Sequence, residues 1–246
     1  MPSRDATAEP SPVIWARLDQ SARRPKPSLT HHQIVRAAME IADAEGLQAL
    51  SMRKVASKLG AGTMSLYRYV ANKDDLLDLM VDAILGEELP DKPSGDWRSE
   101  LAEMARRTRR GARRHPWAIR FMLARPNLGP QALRTIEYSM ASVDGLGLDI
   151  DQMLDMISTV GAFAVGFVQA ELAEEEAQRR TGLTEEQWRA RMAPYIQQLI
   201  ASGRHPYFER IVIEAEDFPD MNTTFERRLS YVLDGLAANL ERRTRR

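Results

Sequence analysis

The basic side chains between Gly46 and Lys73 are the first feature of this sequence that could do chemistry. Five basic residues and no acidic residue fall in this stretch, although the whole chain has 34 basic and 35 acidic residues. They are Arg53, Lys54, Lys58, Arg68 and Lys73. Phosphate responds to a local field of this kind and not to the net charge of the chain, which is −1. The stretch therefore predicts contact with a nucleic-acid backbone.

A second set of polar groups in the same stretch is suited to hydrogen bonding with DNA bases. It combines hydroxyls, aromatic rings and one guanidinium, and its members are Thr63, Ser65, Tyr67, Arg68 and Tyr69. If Leu66 and Val70 face the core, these side chains remain largely free. Arg68 could then bind guanine through two parallel hydrogen bonds, while the hydroxyls reach phosphates or base edges.

Two short predicted helices position these groups. Ser51 can cap a helix that ends near Leu59, and a second helix is expected over Thr63–Val70. The segment Gly60-Ala61-Gly62 separates them and favours a tight turn. This pattern is typical of a DNA-binding helix-turn-helix, and the alternative is a helical hairpin with an ordinary polar face.

Helical signals continue through the rest of the chain, with predicted helix caps at Thr30, Asn72, Asp149 and Thr184, so we predict an all-α protein. Residues 1–28 form a proline-rich, flexible N-terminal arm that could touch DNA. Residues 29–72 form the helix-turn-helix domain, and a linking helix follows over 73–88. Pro90, Pro93 and Gly95 mark a boundary to a larger helical domain over 96–246. In its helix after Pro130, the spacing places Leu133, Ile136, Met140 and Val143 inward.

Six arginines between Arg106 and Arg114 form the densest charge run in the chain. We interpret them mainly as a solvated helix face that pairs with neighbouring acids. A second contact with DNA phosphate is the alternative.

Several classes of function find no support in the sequence. The chain has no cysteine, and its four histidines lack the spacing of a metal site, so we predict no metal and no required cofactor. No phosphate-binding loop or nucleophile elbow is present, which argues against an enzyme. The N-terminus lacks a signal peptide, and the apolar stretch Val160–Val168 is short for a membrane span. We therefore expect a cytoplasmic protein with no membrane partner.

Four segments of the N-terminal region carry a resemblance to a known family. They are Leu50–Ala56, Leu59-Gly60, Leu66–Val70 and Asn72–Leu77, and their spacing is similar to that of the tetracycline-repressor (TetR) family over about Thr30 to Ile84. The resemblance implies that the second short helix enters the major groove. It implies recognition positions at Thr63, Met64, Ser65, Tyr67, Arg68 and Tyr69. It also implies phosphate contacts by Arg53 and Lys73.

The C-terminal half resembles the tetracycline-repressor subgroup of that family. The resemblance depends on His115-Pro116-Trp117, on residues 124–130 and on the final amphipathic helix. It implies a helical-bundle domain that binds a small-molecule effector and dimerises.

Methionines and aromatic residues at helical spacing could line the effector pocket, although such residues more often form plain core. The predicted pocket residues are Trp117, Phe121, Met122, Glu137, Met140, Met156, Phe163 and Phe167. Tyr138 could add a second polar group beside Glu137.

Small residues on a long helix and the apolar stripe of the last helix predict a homodimer interface, with packing inside one chain as the alternative. The predicted interface residues are Ile157, Gly161, Val165, Leu229, Leu233, Leu236 and Leu240. The expected function is a repressor that grips a palindromic operator as a homodimer and releases it when the effector binds. An activator with the same DNA contacts and a helical small-molecule-sequestering protein are the alternatives.

Overall fold

A computed structural model describes residues 14–15, 29–122, 127–215 and 220–244. Eleven α-helices and no strand occur in these described residues, which confirms the predicted all-α class. Most of the predicted arm, residues 1–28, and part of the 124–130 motif lie outside them. The helices are α1 (His31–Glu45), α2 (Met52–Lys58), α3 (Thr63–Leu66), α4 (Lys73–Gly86), α5 (Trp97–Arg114), α6 (Ile119–Met122), α7 (Pro130–Val143), α8 (Ile150–Thr181), α9 (Glu185–Ala201), α10 (Pro206–Glu214) and α11 (Met221–Thr244).

Side-chain caps begin several of these helices at the residues that the sequence predicts. Thr30 accepts a hydrogen bond from the Gln33 N–H, and the Gln33 side chain accepts one from the Thr30 N–H. The same reciprocal arrangement starts α8 and α9. These bonds satisfy donors in the first helical turn that have no partner inside the helix.

The first of two compact units contains the described residues up to Lys92 and Arg114–Tyr138. Its core joins α1 to α4 and to the helix-turn-helix, and includes Ile34, Val55, Leu66 and Met80. Ile14 is also buried in this core. This part of the predicted arm is therefore packed against the fold.

The second unit contains Pro93–Arg113 and the described residues from Ser139 onward. Its core is formed by α5, the end of α7, α8 and α11. Helices α9 and α10 bury no residue within the chain. The chain crosses between the two units at Lys92–Pro93, at Arg113–Arg114 near the end of α5, and at Tyr138–Ser139 within α7.

Residues 114–138 belong to the first unit because specific polar contacts hold them there. Asp43, near the end of α1, accepts a hydrogen bond from the Trp117 indole at 2.7 Å and lies 2.8 Å from His115 Nδ1. Arg114 pairs with Glu87 and Glu88 after α4. None of these contacts follows from local sequence spacing.

The face of α7 that points inward differs in part from the predicted one, because Val143 is buried and Met140 partly buried as predicted but the other two residues are not. Leu133 and Ile136 are exposed, whereas Ala132, Ser139 and Ser142 are buried. The prediction assumed that the large apolar side chains would be buried. The helix is instead oriented by polar contacts at its first turn, which lie between distant parts of the chain.

The arginines of α5 pair with acids, as the sequence predicts. Arg106 contacts Glu226 through two hydrogen bonds, and Arg110 contacts Glu103. Arg109 forms two hydrogen bonds with the buried carboxylate of Glu171, at 2.9 and 2.6 Å. Arg109 also lies 4.8 Å from the centre of the Phe225 ring. The arginine face therefore serves packing within the chain.

Three of the seven predicted interface residues are buried inside the single chain. Val165, Leu229 and Leu233 are 4%, 1% and 4% exposed because α8 and α11 pack against each other. These three residues leave no surface for a partner, so their assignment to the interface is wrong. Gly161, Ile157, Leu236 and Leu240 are only partly buried.

Helix α8 is long and apolar enough to cross a membrane, by length and composition alone. Sequence inspection had considered only the shorter stretch Val160–Val168. Core helices pass the same test, and the buried residues of α8 include Met156, Val160 and the ion-paired Glu171. We therefore interpret α8 as a core helix.

Candidate nucleic-acid interface

The helix-turn-helix is built by local caps and one left-handed glycine. The Ser51 hydroxyl accepts a hydrogen bond from the Lys54 N–H and starts α2. Gly60 follows α2 with φ of 62°, a conformation that costs other residues more than glycine. The Ala61 N–H then returns to the Ala56 carbonyl at 2.9 Å. This turn places α3 directly after α2.

Helix α3 is shorter than predicted, since it ends at Leu66 and a turn continues to Val70. The Tyr69 and Val70 N–H groups both donate to the Leu66 carbonyl. Leu66 and Val70 are fully buried, as the sequence predicts. They fix the side of this segment that faces the core and therefore the side that faces solvent.

The solvent-facing side presents a mixed apolar and polar surface. Met64 is 77% and Tyr67 43% exposed, and Arg68 is also exposed. Thr63 and Ser65 are half-buried at the start of the helix. Exposed side chains on one short helix can reach base edges in a major groove. The α3 surface, defined as Thr63–Tyr69, therefore has the chemistry of a recognition element.

Tyr69 is less free than predicted. His31 Nε2 lies 3.1 Å from the Tyr69 carbonyl oxygen, and the two rings meet edge to face with centroids 5.5 Å apart. Tyr69 is consequently half-buried. Its contact fastens the end of the α3 surface to the first turn of α1.

Two of the five basic residues in the acid-free stretch are neutralised by acids on α1. Lys54 pairs with Glu45, and Lys58 pairs with Glu40 at 3.0 Å. Both glutamates precede the stretch in sequence, so inspection of Gly46 to Lys73 alone missed them. The ion pair with Lys58 also lowers the pKa of the Glu40 carboxyl below its ordinary value, through hydrogen bonds from Lys58 and Arg36.

The remaining cations are Arg53, Arg68 and Lys73. Within the described residues, none of the three forms an ion pair, and all three are exposed. Lys73 Nζ lies 3.5 Å from the Leu47 carbonyl oxygen, which holds it beside the turn after α1. These are the same three cations that the family resemblance selected for phosphate or base contacts.

Helix α4 is anchored beside this surface. The Asn72 side chain accepts a hydrogen bond from the Asp75 N–H at 2.8 Å, and Asp74 and Asp75 occupy the first turn, where the helix dipole favours acids. Leu76 and Met80 are fully buried in the core shared with α1. The start of α4 is therefore fixed relative to α3.

Family models match most of the chain. Residues 34–80 match the model described as bacterial regulatory proteins, tetR family. Residues 89–240 match the model described as the tetracyclin repressor-like C-terminal domain. The chain belongs to the tetR family. The helix-turn-helix described above is thus the DNA-binding element of a tetR-family transcriptional regulator.

Individual relatives agree with this membership. The transcriptional repressor DrrR1 of Streptomyces coeruleorubidus is 42% identical over 91% of this chain and 83% of its own length. The class A tetracycline repressor from transposon 1721 in Escherichia coli is 28% identical over 85% of this chain and 91% of its own. The crystal structure of Streptomyces coelicolor ActR in complex with actinorhodin is 31% identical, with a TM-score of 0.70, and covers 87% of this chain and 99% of its own.

Membership of the tetR family confirms several predictions. Its members are transcriptional regulators and not enzymes, as expected from the lack of catalytic motifs. They respond to small-molecule ligands and need no cofactor. In the described residues, no group of three or more histidine, aspartate or glutamate side chains is arranged to hold a metal ion.

The residues predicted to line the effector pocket of this tetR-family chain are divided between the two units. Trp117, Phe121 and Met122 pack in the first core, and Met140, Met156, Phe163 and Phe167 pack in the second. Phe163 and Phe167 both contact the ring of Phe225. Glu137 is exposed, while Tyr138 is buried. Of the two suggested polar groups, only Tyr138 lies inside the fold.

Proposed function

We propose that this chain is a cytoplasmic repressor, with no membrane partner, that binds a palindromic operator as a homodimer and releases it when a small-molecule effector binds. The observation that carries the proposal is the α3 surface with Arg68, together with Arg53 and Lys73 outside it, because these three cations are exposed and form no ion pair within the described residues. In this proposal Arg68 recognises a base, and Arg53 and Lys73 contact phosphates. DrrR1, which is similar over most of the chain, is named a repressor.

A homodimer would use the outer faces of α8 and α11. Four small residues spaced four apart on α8 are exposed: Ser158, Ala162, Gly166 and Ala170. A side chain at Gly166 or at Gly235 of α11 would meet no atom within 4 Å, so both helices are open to close approach. Tyr231, exposed at 65% on α11, supplies the large contact residue. This surface replaces the buried residues that the sequence assigned to the interface.

Two observations support the effector-binding part of the proposal: the resemblance of the C-terminal half to the tetracycline-repressor subgroup, and the similar structure of ActR. ActR, which shares this fold, is solved in complex with actinorhodin. A ligand that prefers one arrangement of the dimer shifts the spacing of the two α3 surfaces away from about one turn of DNA, 34–36 Å, and so weakens operator binding. A coupling of about 1–3 kcal/mol would be sufficient.

Selection from random double-stranded DNA tests the DNA-binding part of the proposal. We expect the full-length protein to enrich duplexes that contain two inverted half-sites one helical turn apart. Arg68→Ala should abolish this enrichment, whereas Lys58→Ala should retain it because Lys58 is already paired with Glu40. Enrichment of unrelated sequences by the wild-type protein would contradict the proposal. A reporter gene placed behind the selected duplex distinguishes repression from activation.

Sedimentation velocity tests the proposed dimer surface. Ala162→Arg should convert the dimer to a monomer, because a charged side chain would then lie where the helices approach. Ala190→Arg, at an exposed position of α9, is the matched control and should remain dimeric. A dimeric Ala162→Arg protein would exclude this face of α8.

Displacement from the selected duplex tests the effector. Actinorhodin is the first compound to try, followed by a library screened by thermal shift. The proposal predicts a compound that both stabilises the protein and releases the duplex. A compound that stabilises the protein and leaves the DNA bound would contradict effector-driven release.

A further inference from the structure

The buried carboxylate of Asp82 lies on the linking helix α4. It is 5% exposed. Its Oδ1 accepts hydrogen bonds from the backbone N–H of Gln131 at 3.0 Å and of Ala132 at 2.8 Å. Both donors belong to the first turn of α7, which has no partners for them inside its own helix. Asp82 therefore caps a helix that begins 48 residues later, at Pro130.

The residue at the usual capping position of α7 is Gly129. A side chain at this position would collide with Asp82, so the contact requires glycine here. Gly129 precedes Pro130 and has no side chain to accept the bonds that Asp82 accepts. A Cβ atom at Gly129 would lie 2.3 Å from Asp82 Oδ1 and 2.7 Å from the Trp15 ring. Glycine at position 129 therefore permits the close approach of the Asp82 side chain to this segment of backbone. The cap is thus built from two distant segments that fit each other.

Two more hydrogen bonds flank this cap. The Asn127 amide donates to the Asp78 carbonyl oxygen at 2.9 Å, and its own oxygen accepts from the Gly129 N–H. On the other side, the Thr135 hydroxyl donates to the Leu85 carbonyl oxygen at 3.0 Å. Together, the contacts of Asp78, Asp82 and Leu85 with residues 127–135 form what we call the α4–α7 clamp.

The clamp joins a segment fixed to the DNA-binding surface with a helix that continues into the second unit. Helix α4 is held to α1 and the helix-turn-helix through Leu76 and Met80. Helix α7 belongs to the first unit up to Tyr138 and to the second unit from Ser139. A rigid helix transmits displacement along its length. The clamp therefore offers a direct path by which movement of α7 would act on α4.

We propose that the α4–α7 clamp, with Asp82 as its positioning residue, transmits the effector signal from α7 to the DNA-binding surface. This inference rests on the proposed function, because it assumes that an effector shifts the protein away from its DNA-binding state. It assigns the transmission to one buried carboxylate and two backbone N–H groups. The regulator needs a connection that keeps its geometry when α7 moves, and a capped helix terminus supplies one.

The energetics of Asp82 fit a positioning role. Burial raises the pKa of this carboxyl above its ordinary value, although the hydrogen bonds from Ala132 and Gln131 lower it in part. A buried carboxylate is a costly way to fill space. Its directional bonds, however, fix the position of α7 more closely than apolar contact would.

Variants can separate the clamp from general stability. Asp82→Ala removes the acceptor, and Gly129→Ala displaces the carboxylate while leaving Asp82 in place. Asp82→Asn should retain the clamp, because a single amide oxygen can accept both of the short bonds now made by Oδ1. Ile34→Val is the control for lost stability, since Ile34 is buried in the core of the same unit and takes no part in the hydrogen bonds of the clamp.

Hydrogen–deuterium exchange of the full-length protein, alone and bound to the duplex selected from random DNA, tests the proposal. Linkage is reciprocal, so DNA binding at α3 must affect α7 if α7 affects DNA binding. In the wild type, in Asp82→Asn and in Ile34→Val, we expect DNA to slow exchange of residues 136–143 by about fivefold or more, the low end of allosteric coupling. Asp82→Ala and Gly129→Ala should bind the duplex within about threefold of the wild-type affinity, which is less than the tenfold change that 1.4 kcal/mol would cause. In these two variants, DNA binding should leave the exchange of residues 136–143 unchanged.

Two results would overturn the proposal. One is a wild-type response in both Asp82→Ala and Gly129→Ala, and the other is loss of the response in Ile34→Val. If the wild-type protein selects no duplex, the proposed function fails. Hydrogen–deuterium exchange of the DNA-free protein then still tests whether the clamp joins the two helices. In that case Asp82→Ala must speed exchange in residues 79–86 of α4 together with residues 131–136 of α7. Unchanged exchange in α4 would show that the two helices are not clamped.

Discussion

The carboxylate of Glu171 is buried and accepts hydrogen bonds from Arg109 and Arg113. Removing one partner of a buried ion pair leaves the other charge without compensation. Glu171→Ala should therefore lower the free energy of unfolding by about 3 kcal/mol, the lower end for buried pairs because Arg109 is not fully buried. Urea unfolding at constant protein concentration measures this change.

Glu175→Ala is the matched control for Glu171→Ala. Glu175 lies one turn later on α8, is exposed, and pairs with Arg113 at 3.5 Å. Exposed pairs contribute little, so the loss should stay below about 1 kcal/mol. Equal losses in the two variants would contradict the assignment of Glu171 as the structural centre of the arginine face.

The pH dependence of stability offers a test at Asp82. Its pKa in the folded protein is raised above the ordinary aspartate value of 3.8, so folding favours the protonated carboxyl. The stabilisation from this group is present below pH 3.8 and is lost as the pH rises through the raised pKa. Relative to Asp82→Asn, the wild type should become less stable between pH 4 and pH 7.5, measured by urea unfolding. If the free energy of unfolding of the wild type instead rose relative to that of Asp82→Asn over this pH range, the predicted direction would be wrong.

Single residues of the DNA-binding surface were largely predictable because their signals are local. Arg53, Arg68 and Lys73 stand exposed and without ion pairs among the described residues, as a motif match implies. Lys54 and Lys58 could not be separated from them by sequence. Their partners, Glu45 and Glu40, come close only through the packing of α1 against α2.

The turn between α2 and α3 is the element whose geometry depends most on one residue. Gly60 has φ of 62°, where a Cβ atom is strained even though the space around it is open. Gly60→Ala should lower the free energy of unfolding by about 1 kcal/mol, whereas Gly60→Asn should lose less because asparagine tolerates this conformation. Thermal unfolding monitored by circular dichroism compares the two. Equal stability of all three proteins would show that the turn relaxes.

Helix starts were predicted well, and helix orientations were not. Thr30, Ser51, Asn72, Asp149 and Thr184 all cap the helices expected of them. Each of these caps depends on residues three positions apart. Helix α7, in contrast, is capped by Asp82 from another helix, and hydrophobic spacing wrongly assigned Leu133 and Ile136 to its inward face.

At the scale of the whole molecule, the class and the order of the helices could be predicted from the sequence, but the assignment of residues 114–138 to the N-terminal unit could not. Residues 114–138 join the N-terminal unit through Asp43 and Asp82, which lie many residues away. Similarly, the apolar stripe of α11 suggested a partner chain, yet Leu229 and Leu233 are buried against α8. Amphipathic spacing shows that a face is covered, and does not show by which chain.

The central claim is that this tetR-family chain recognises DNA through α3, and a salt-dependent binding titration tests it most directly. The selected duplex and a scrambled duplex are each titrated with wild type, Arg68→Ala and Arg53→Ala. Arg68→Ala should weaken binding to the selected duplex by about 1–3 kcal/mol and leave the scrambled duplex nearly unaffected. Arg53→Ala should weaken both and reduce the slope of log affinity against log salt by about 1. Equal affinity of the wild type for both duplexes, or equal weakening of both by Arg68→Ala, would contradict the claim.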